Sequence, residues 1–81
     1  MQIDLDNFLV RERIAELMHD IWINWSKTIV RTEQISQDRF ERWVRCWKNY
    51  RDLPEEFKNL DREQADKIIE GLKKSRQMRE F

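Results

Sequence analysis

Residues Leu53 to Ile69 read Leu-Pro-Glu-Glu-Phe-Lys-Asn-Leu-Asp-Arg-Glu-Gln-Ala-Asp-Lys-Ile-Ile. A residue ahead of proline is pushed out of the helical region, and proline itself suits the first position of a helix. Leu53-Pro54 therefore predicts a helix entry, and Glu55 and Glu56 put negative charge where the helix dipole favours it. The pattern predicts a short helical turn to about Asn59, a stop, and a second entry capped by Asp61. Gln64, one turn on, makes a variant of the capping box, and Leu60 and Ala65 stand where a hydrophobic staple would. A third helix is predicted from about Arg62 to Gln77, with Ala65, Ile68, Ile69 and Leu72 turned inward. Gly71 costs that helix ~1 kcal/mol against Ala. Beyond Lys73 the basic tail is expected to fray.

Upstream, Ile14, Leu17, Met18, Ile21, Trp22 and Trp25 recur at helical spacing and predict a first helix from about Asn7 to Lys27. Asp6 is its expected N-cap, with Leu5 and Val10 as the staple. His19 falls at the edge of that face. Residues Thr28 to Gln34 are β-branched and polar, and a connection is expected there. Ser36 caps a second predicted helix, from about Gln37 to Asn49, with Ile35 and Phe40 as its staple. Phe40, Trp43, Val44 and Trp47 form its apolar stripe. Arg39, Arg42, Arg45, Lys48 and Arg51 recur every three residues, so they spiral around the stripe and border it. Tyr50 to Leu53 is read as a connection.

The fold class that follows is all-α: a small bundle of three helices plus a short helical turn. The 81 residues suffice for one domain, 1–81, with a core of about 6–72 and a basic tail of 73–81. A chain this short has a thin core, which four Trp, four Phe and one Tyr help to fill. Its 16 basic and 16 acidic residues cancel, whereas a general nucleic-acid binder shows a basic excess, so nucleic acid is not an expected partner. The charge is segregated, with net +3 over residues 36–51 and net −4 over residues 52–72. One cysteine excludes an internal disulfide, and one histidine excludes a His/Cys zinc site within the chain. There is no apolar run of membrane-spanning length, so no membrane partner is expected. The acidic N-terminus lacks the charged lead of a signal peptide, and a cytoplasmic protein is expected.

Five features can carry chemistry. In the second helix, Arg guanidinium groups and Trp faces suit stacking on a base and gripping a phosphate or carboxylate. The plainer alternative is that Trp fills the core while Arg snorkels over it and pairs with the acidic 52–72 segment. His19, near Trp22, can hydrogen-bond a ligand or be a satisfied core side chain. Glu55, Glu56, Asp61 and Asp66 are better explained by a first turn, a cap and a solvated face than by acid–base catalysis. Cys46 would have a lowered pKa if Arg42 and Arg45 were close, but no base accompanies it. Lys73-Lys74-Ser75-Arg76 reads as the cation-rich end of a helix. No catalytic set, metal site or cofactor is implied, and the expected protein is not an enzyme.

Two segments carry a family resemblance. Met18-His19-Asp20-Ile21-Trp22 resembles the Ile/Leu-His-Glu-x-Trp element in the first helix of ryanodine-receptor repeat (RyR) domains. Tyr50-Arg51-Asp52-Leu53-Pro54-Glu55-Glu56-Phe57-Lys58-Asn59-Leu60-Asp61-Arg62 resembles that family's second element, an aromatic followed by x-x-Leu-Pro-Glu-x-x-Lys-x-x-Asn/Asp-Arg. Gln64-Ala65-Asp66 extends the likeness. Asn49 stands where the family usually has Pro, and the segment between the first two helices is short. The resemblance implies a small helical module that binds small ligands, nucleotide derivatives among them, without catalysis. By position it singles out His19, Trp22, Tyr50, Leu53, Pro54, Lys58, Asp61 and Arg62.

The expected function is a non-enzymatic module for an anionic small molecule, a nucleotide above all. Its expected ligand-binding residues are His19, Trp22, Arg42, Trp43, Tyr50, Lys58 and Arg62. Sequestration of a nucleotide signal, as by a phage protein, is the expected mode. The competing expectation is a protein-interaction or assembly module that uses its aromatic surface without a small ligand. A homo-oligomer, a dimer or higher, is expected because a thin core gains from association.

Overall fold

The computed structural model of the chain describes residues 3–78. It contains α1 (Phe8–Thr32), α2 (Gln37–Val44), a 3-10 turn (Tyr50–Asp52) and α3 (Glu55–Met78), with no strand among the described residues. The all-α class expected from the sequence is what the chain adopts. Helices α1 and α3 run antiparallel as a long hairpin: Asp6 meets Lys73, Arg11 meets Asp66, Glu12 meets Arg62 and His19 approaches Asp61. Short α2 leans on the C-terminal half of α1.

Several helix boundaries differ from the expected ones, each for a physical reason. Asn7, not Asp6, caps α1, its Oδ1 accepting from the Leu9 N–H at 2.8 Å. Asp6 instead accepts from the Lys73 ammonium group. The expected connection at Thr28 to Gln34 is helical as far as Thr32. Its β-branched residues cost only a few tenths of a kcal/mol each. Thr28 and Thr32 donate their hydroxyls back to the carbonyls of Asn24 and Thr28, and the Glu33 N–H closes on the Ile29 carbonyl at 2.8 Å.

Ser36 caps α2 as expected, accepting from the Arg39 N–H. The helix stops at Val44, well short of Asn49. The N–H groups of Cys46 and Trp47 close tight turns on Trp43 and Val44. Tertiary bonds take over from there. The Trp47 indole N–H donates to Ser26 Oγ at 2.9 Å, and the Lys48 carbonyl accepts from His19.

The largest correction concerns Leu53 to Ile69. There is no stop near Asn59: α3 is one helix from Glu55 onward, its first bonds accepted by the Pro54 carbonyl. Asp61 is a mid-helix residue facing His19 rather than a cap, and Leu60 is 58% exposed rather than stapled to Ala65. A capping box satisfies N–H groups that have no helical partner. Inside a helix already running from Pro54 those N–H groups are paired, so the side chains are free to bond elsewhere. The basic tail, expected to fray, is helical as far as Met78, with Lys73 paired to Asp6 and Arg76 donating to the Ile3 carbonyl; residues 79–81 lie outside the described residues.

The core is a thin seam. Its buried apolar residues are Leu5, Ala15, Tyr50, Leu53, Ala65 and Ile69. The radius of gyration, 15.6 Å, exceeds the ~12 Å of a compact domain of this length. On α1 the buried line is Ala15, His19 and Ser26, with Trp22 half-buried. Leu17, Ile21 and Trp25, expected inside, are largely exposed, as are Val44 on α2 and Ile68 and Leu72 on α3. Each apolar arc is wider than a single neighbouring helix can cover.

Candidate functional site

α1, α2 and α3 border a cavity of about 420 Å³ that is open to solvent. That is within the ~300–1,000 Å³ typical of small-molecule sites. Its aromatic side chains are Trp22 from α1, Trp43 from α2 and Phe57 from α3, with Leu53 and Leu60 adding apolar wall. The polar lining comes from His19, Arg42, Asp61, Glu63 and Gln64, and Cys46 completes it. The helical register explains this set. His19 and Trp22 lie one turn apart on α1, and Asp61 and Gln64 lie one turn apart on α3.

An aromatic ladder forms one side. The His19 and Trp22 rings stack with centroids 5.9 Å apart. Trp43 meets Trp22 edge-on at 6.1 Å and Trp25 at 5.8 Å. Arg42, with its side chain 62% exposed, lines the solvent side and approaches only Asp38 of its own helix, at 3.4 Å. Arg39, Arg45, Lys48 and Arg51, also exposed, form no ion pair among the described residues. The alternative pairing of the α2 arginines with the acidic 52–72 segment is not seen among the described residues.

His19 is the fixed point at the back of the cavity. It is 3% exposed. Its Nε2 lies 2.8 Å from the Lys48 carbonyl oxygen. A carbonyl only accepts, so Nε2 carries the hydrogen. Nδ1 lies 3.4 Å from Asp61 Oδ2. Burial pushes the Asp61 carboxyl above its ordinary range, and the neighbouring His19 draws it part of the way back. Burial likewise raises the Cys46 thiol, overcoming the opposite pull of Lys48 and Arg45. The activated thiolate considered from sequence is therefore not formed.

Of the seven expected ligand-binding residues, His19, Trp22, Arg42 and Trp43 meet in this cavity, joined by Cys46, Leu53 and Asp61, which the sequence also singles out. Tyr50, Lys58 and Arg62 do not line it. They belong to a polar lock on the other side of the α1–α3 seam. Arg62 donates Nε–H to Glu12 Oε2 at 2.8 Å and Nη2–H to Glu12 Oε1 at 2.7 Å. Its Nη1 donates to Glu55 at 2.7 Å and to Asn59 at 2.9 Å. The Tyr50 hydroxyl donates to Glu12 at 3.1 Å, and Lys58 sits 5.7 Å over the Tyr50 ring and 3.7 Å from Glu55. Hydrogen bonds from Arg62 and Tyr50 hold Glu12 below the usual carboxylate range against the opposing effect of burial, and Glu12 with Glu55 raises Arg62. Burial, then the bond to Glu12, raises the Tyr50 phenol.

Sequence reasoning overlooks Glu12, the hub of this lock, because it reads as one more solvated charge on α1. It also misses Phe57, Leu60 and Gln64 as cavity residues. Their signal is an apolar arc on α3 that is wider than the seam with α1.

Among the described residues, no group of three His, Cys, Asp or Glu side chains is placed to hold a metal ion, and no helix is long and apolar enough to cross a membrane. No family model, curated protein or solved structure matches this chain.

Proposed function

We propose that the chain is a non-enzymatic binding module for a small planar ligand, a nucleotide or nucleotide derivative. The cavity walled by Trp22, Trp43 and Phe57, with Arg42 on its open side, is the observation that carries the proposal. Indole and phenyl faces suit a ring that enters between them. A phosphate on that ring would reach Arg42, with the unpaired Arg39 and Arg45 one turn away on either side. The anion-binding role moves from Lys58 and Arg62, whose charges are already matched by Glu12 and Glu55, to α2. The likeness of the His19–Trp22 and Tyr50–Arg62 segments to RyR domains supports the same reading. Binding without turnover fits sequestration of a nucleotide signal, the phage setting suggested by the resemblance.

Trp fluorescence and thermal melting against mono-, di- and cyclic nucleotides test the proposal. Quenching together with a raised midpoint is the expected result, since a ligand that binds only the folded state stabilises it. Trp43→Ala should abolish both signals. Silence across the whole panel would defeat the proposal.

A second reading has its own observation. Leu17, Ile21 and Trp25 on α1 and Leu60, Ile68 and Leu72 on α3 leave a broad apolar surface exposed. Such surfaces mark interaction sites, and a homo-oligomer would cover this one. Light scattering over a range of protein concentrations decides it: a constant monomer mass removes self-association.

A further inference from the structure

The polar wall that α3 contributes to the cavity is short of hydrogen-bond donors. The Asp61 side chain is only 18% exposed. Among the described residues its one polar neighbour is His19 Nδ1. His19 Nε2–H is committed to the Lys48 carbonyl, and Nδ1 approaches Asp61 Oδ2 alone, at 3.4 Å, so Oδ1 has no hydrogen-bond partner among the described residues. The Asp61 carboxyl thus lines the cavity with acceptor capacity to spare, wholly at Oδ1 and in part at the more distant Oδ2. Gln64, one turn further along the same helix, lines the same wall and brings a carboxamide that can donate.

We infer that this wall reads the hydrogen-bonding edge of a 2-amino-6-oxopurine, with Asp61 accepting from its N1–H and exocyclic amino group and Gln64 donating to its 6-oxo oxygen. The inference rests on the nucleotide reading above and adds the identity of the base. The edge of a guanine-type base presents two adjacent donors followed by an acceptor, which complements a carboxylate followed by an amide N–H. Adenine offers one donor beside a ring nitrogen lone pair, and that lone pair would face the carboxylate. Cytosine has the same fault. Uracil and thymine have a single N–H between two carbonyls, one of which would meet an Asp61 oxygen. The aromatic faces of Trp22, Trp43 and Phe57 accept any base, so discrimination falls to Asp61 and Gln64.

The test is calorimetric titration of the full chain with guanosine, inosine, adenosine and xanthosine monophosphates. The guanosine nucleotide should bind tightest. Inosine, which lacks the amino group, should bind about tenfold more weakly, and adenosine about 100-fold more weakly. Asp61→Asn should lose the guanosine nucleotide and gain the xanthosine one, because its amide N–H can donate to the 2-oxo oxygen. Gln64→Glu, at an exposed position that does not threaten folding, should weaken guanosine binding by setting a carboxylate against the 6-oxo oxygen. Circular dichroism confirms that both variants are folded. Equal affinity for all four nucleotides, or an unchanged preference in Asp61→Asn, overturns the inference and leaves the nucleotide reading standing. No binding of any nucleotide overturns both. Stabilisation by tetramethylammonium and not by nucleotides would make the cavity an aromatic cage for a cation, and would likewise overturn both.

Discussion

Arg62 grips Glu12 with two parallel hydrogen bonds, Nε–H to Oε2 at 2.8 Å and Nη2–H to Oε1 at 2.7 Å. The side chains are 14% and 22% exposed, so this fork is mostly out of water and joins α3 to α1 across the seam. With so few apolar residues buried, the hairpin depends on it. Arg62→Ala would leave Glu12 partly buried with only the Tyr50 hydroxyl as partner. We expect a loss of about 3 kcal/mol in urea unfolding, with ligand affinity unchanged in the fraction that remains folded. Arg62→Lys, which cannot reproduce the fork, should recover only part of the loss.

The same fork sets an acid limit. Glu12 is held below the ordinary carboxylate range by its bond from Arg62. Its contribution is fully present above the unfolded value, ~4.3, and is lost as pH falls through the lower folded value. Unfolding free energy should therefore fall steeply below about pH 4. In Arg62→Ala, equilibrium unfolding between pH 2 and pH 7 should show a shallower slope in that window. An unchanged slope would place the acid sensitivity elsewhere.

The helical class and the aromatic–basic pair Trp43 and Arg42 are legible in sequence because they depend on local spacing, whereas His19 and Trp22 are singled out as site residues by the family resemblance. One turn of helix is enough to set His19 beside Trp22, and one stripe is enough to present Trp43. The lock is not legible, because Glu12 and Arg62 are 50 positions apart. Which of several acids an Arg meets depends on the register of α1 against α3, and no local pattern specifies it. The false stop before Asp61 has a related origin. Asp61, Gln64 and Leu60 match an N-terminal pattern, but Pro54 has already started the helix, and His19 gives Asp61 another environment. α2 ends early for the same kind of reason, since Trp47 and Lys48 are claimed by Ser26 and His19 on α1.

Asp61 should be a site where binding and stability conflict. Burial raises its folded pKa. A raised carboxyl contributes stability below its unfolded value and loses it as pH rises through the folded value. Above the folded value the ionised group is therefore a liability to the ligand-free fold. Asp61→Asn should raise the urea midpoint at pH 7 and leave it little changed at pH 3, where the native acid is already neutral.

Ser26 is wholly buried and serves two neighbours, donating to the Ile23 carbonyl at 3.1 Å and accepting from the Trp47 indole N–H at 2.9 Å. Ser26→Ala would strand that N–H beneath α1, at a cost of about 1–3 kcal/mol. Trp47 also carries the Phe40 edge contact and lies under Lys27, so the loss should loosen the end of α2. Near-ultraviolet circular dichroism should weaken while the far-ultraviolet helical signal largely persists.

Ala15 and Ala65 are both fully buried in the seam, in one cluster with Tyr50 and Leu53. Small side chains there let α1 and α3 approach closely enough for the Glu12–Arg62 and Arg11–Asp66 bonds to close. Ala65→Leu adds volume where none is free and should cost about 1–3 kcal/mol by overpacking. It should also separate the helices and stretch both ion pairs. The two effects are distinguishable in a double variant. If the helices are pushed apart, adding Arg62→Ala to Ala65→Leu should cost less than it does in the native chain, because the fork is already strained. Strict additivity in urea unfolding would mean that the seam absorbs the larger side chain without moving α1 from α3.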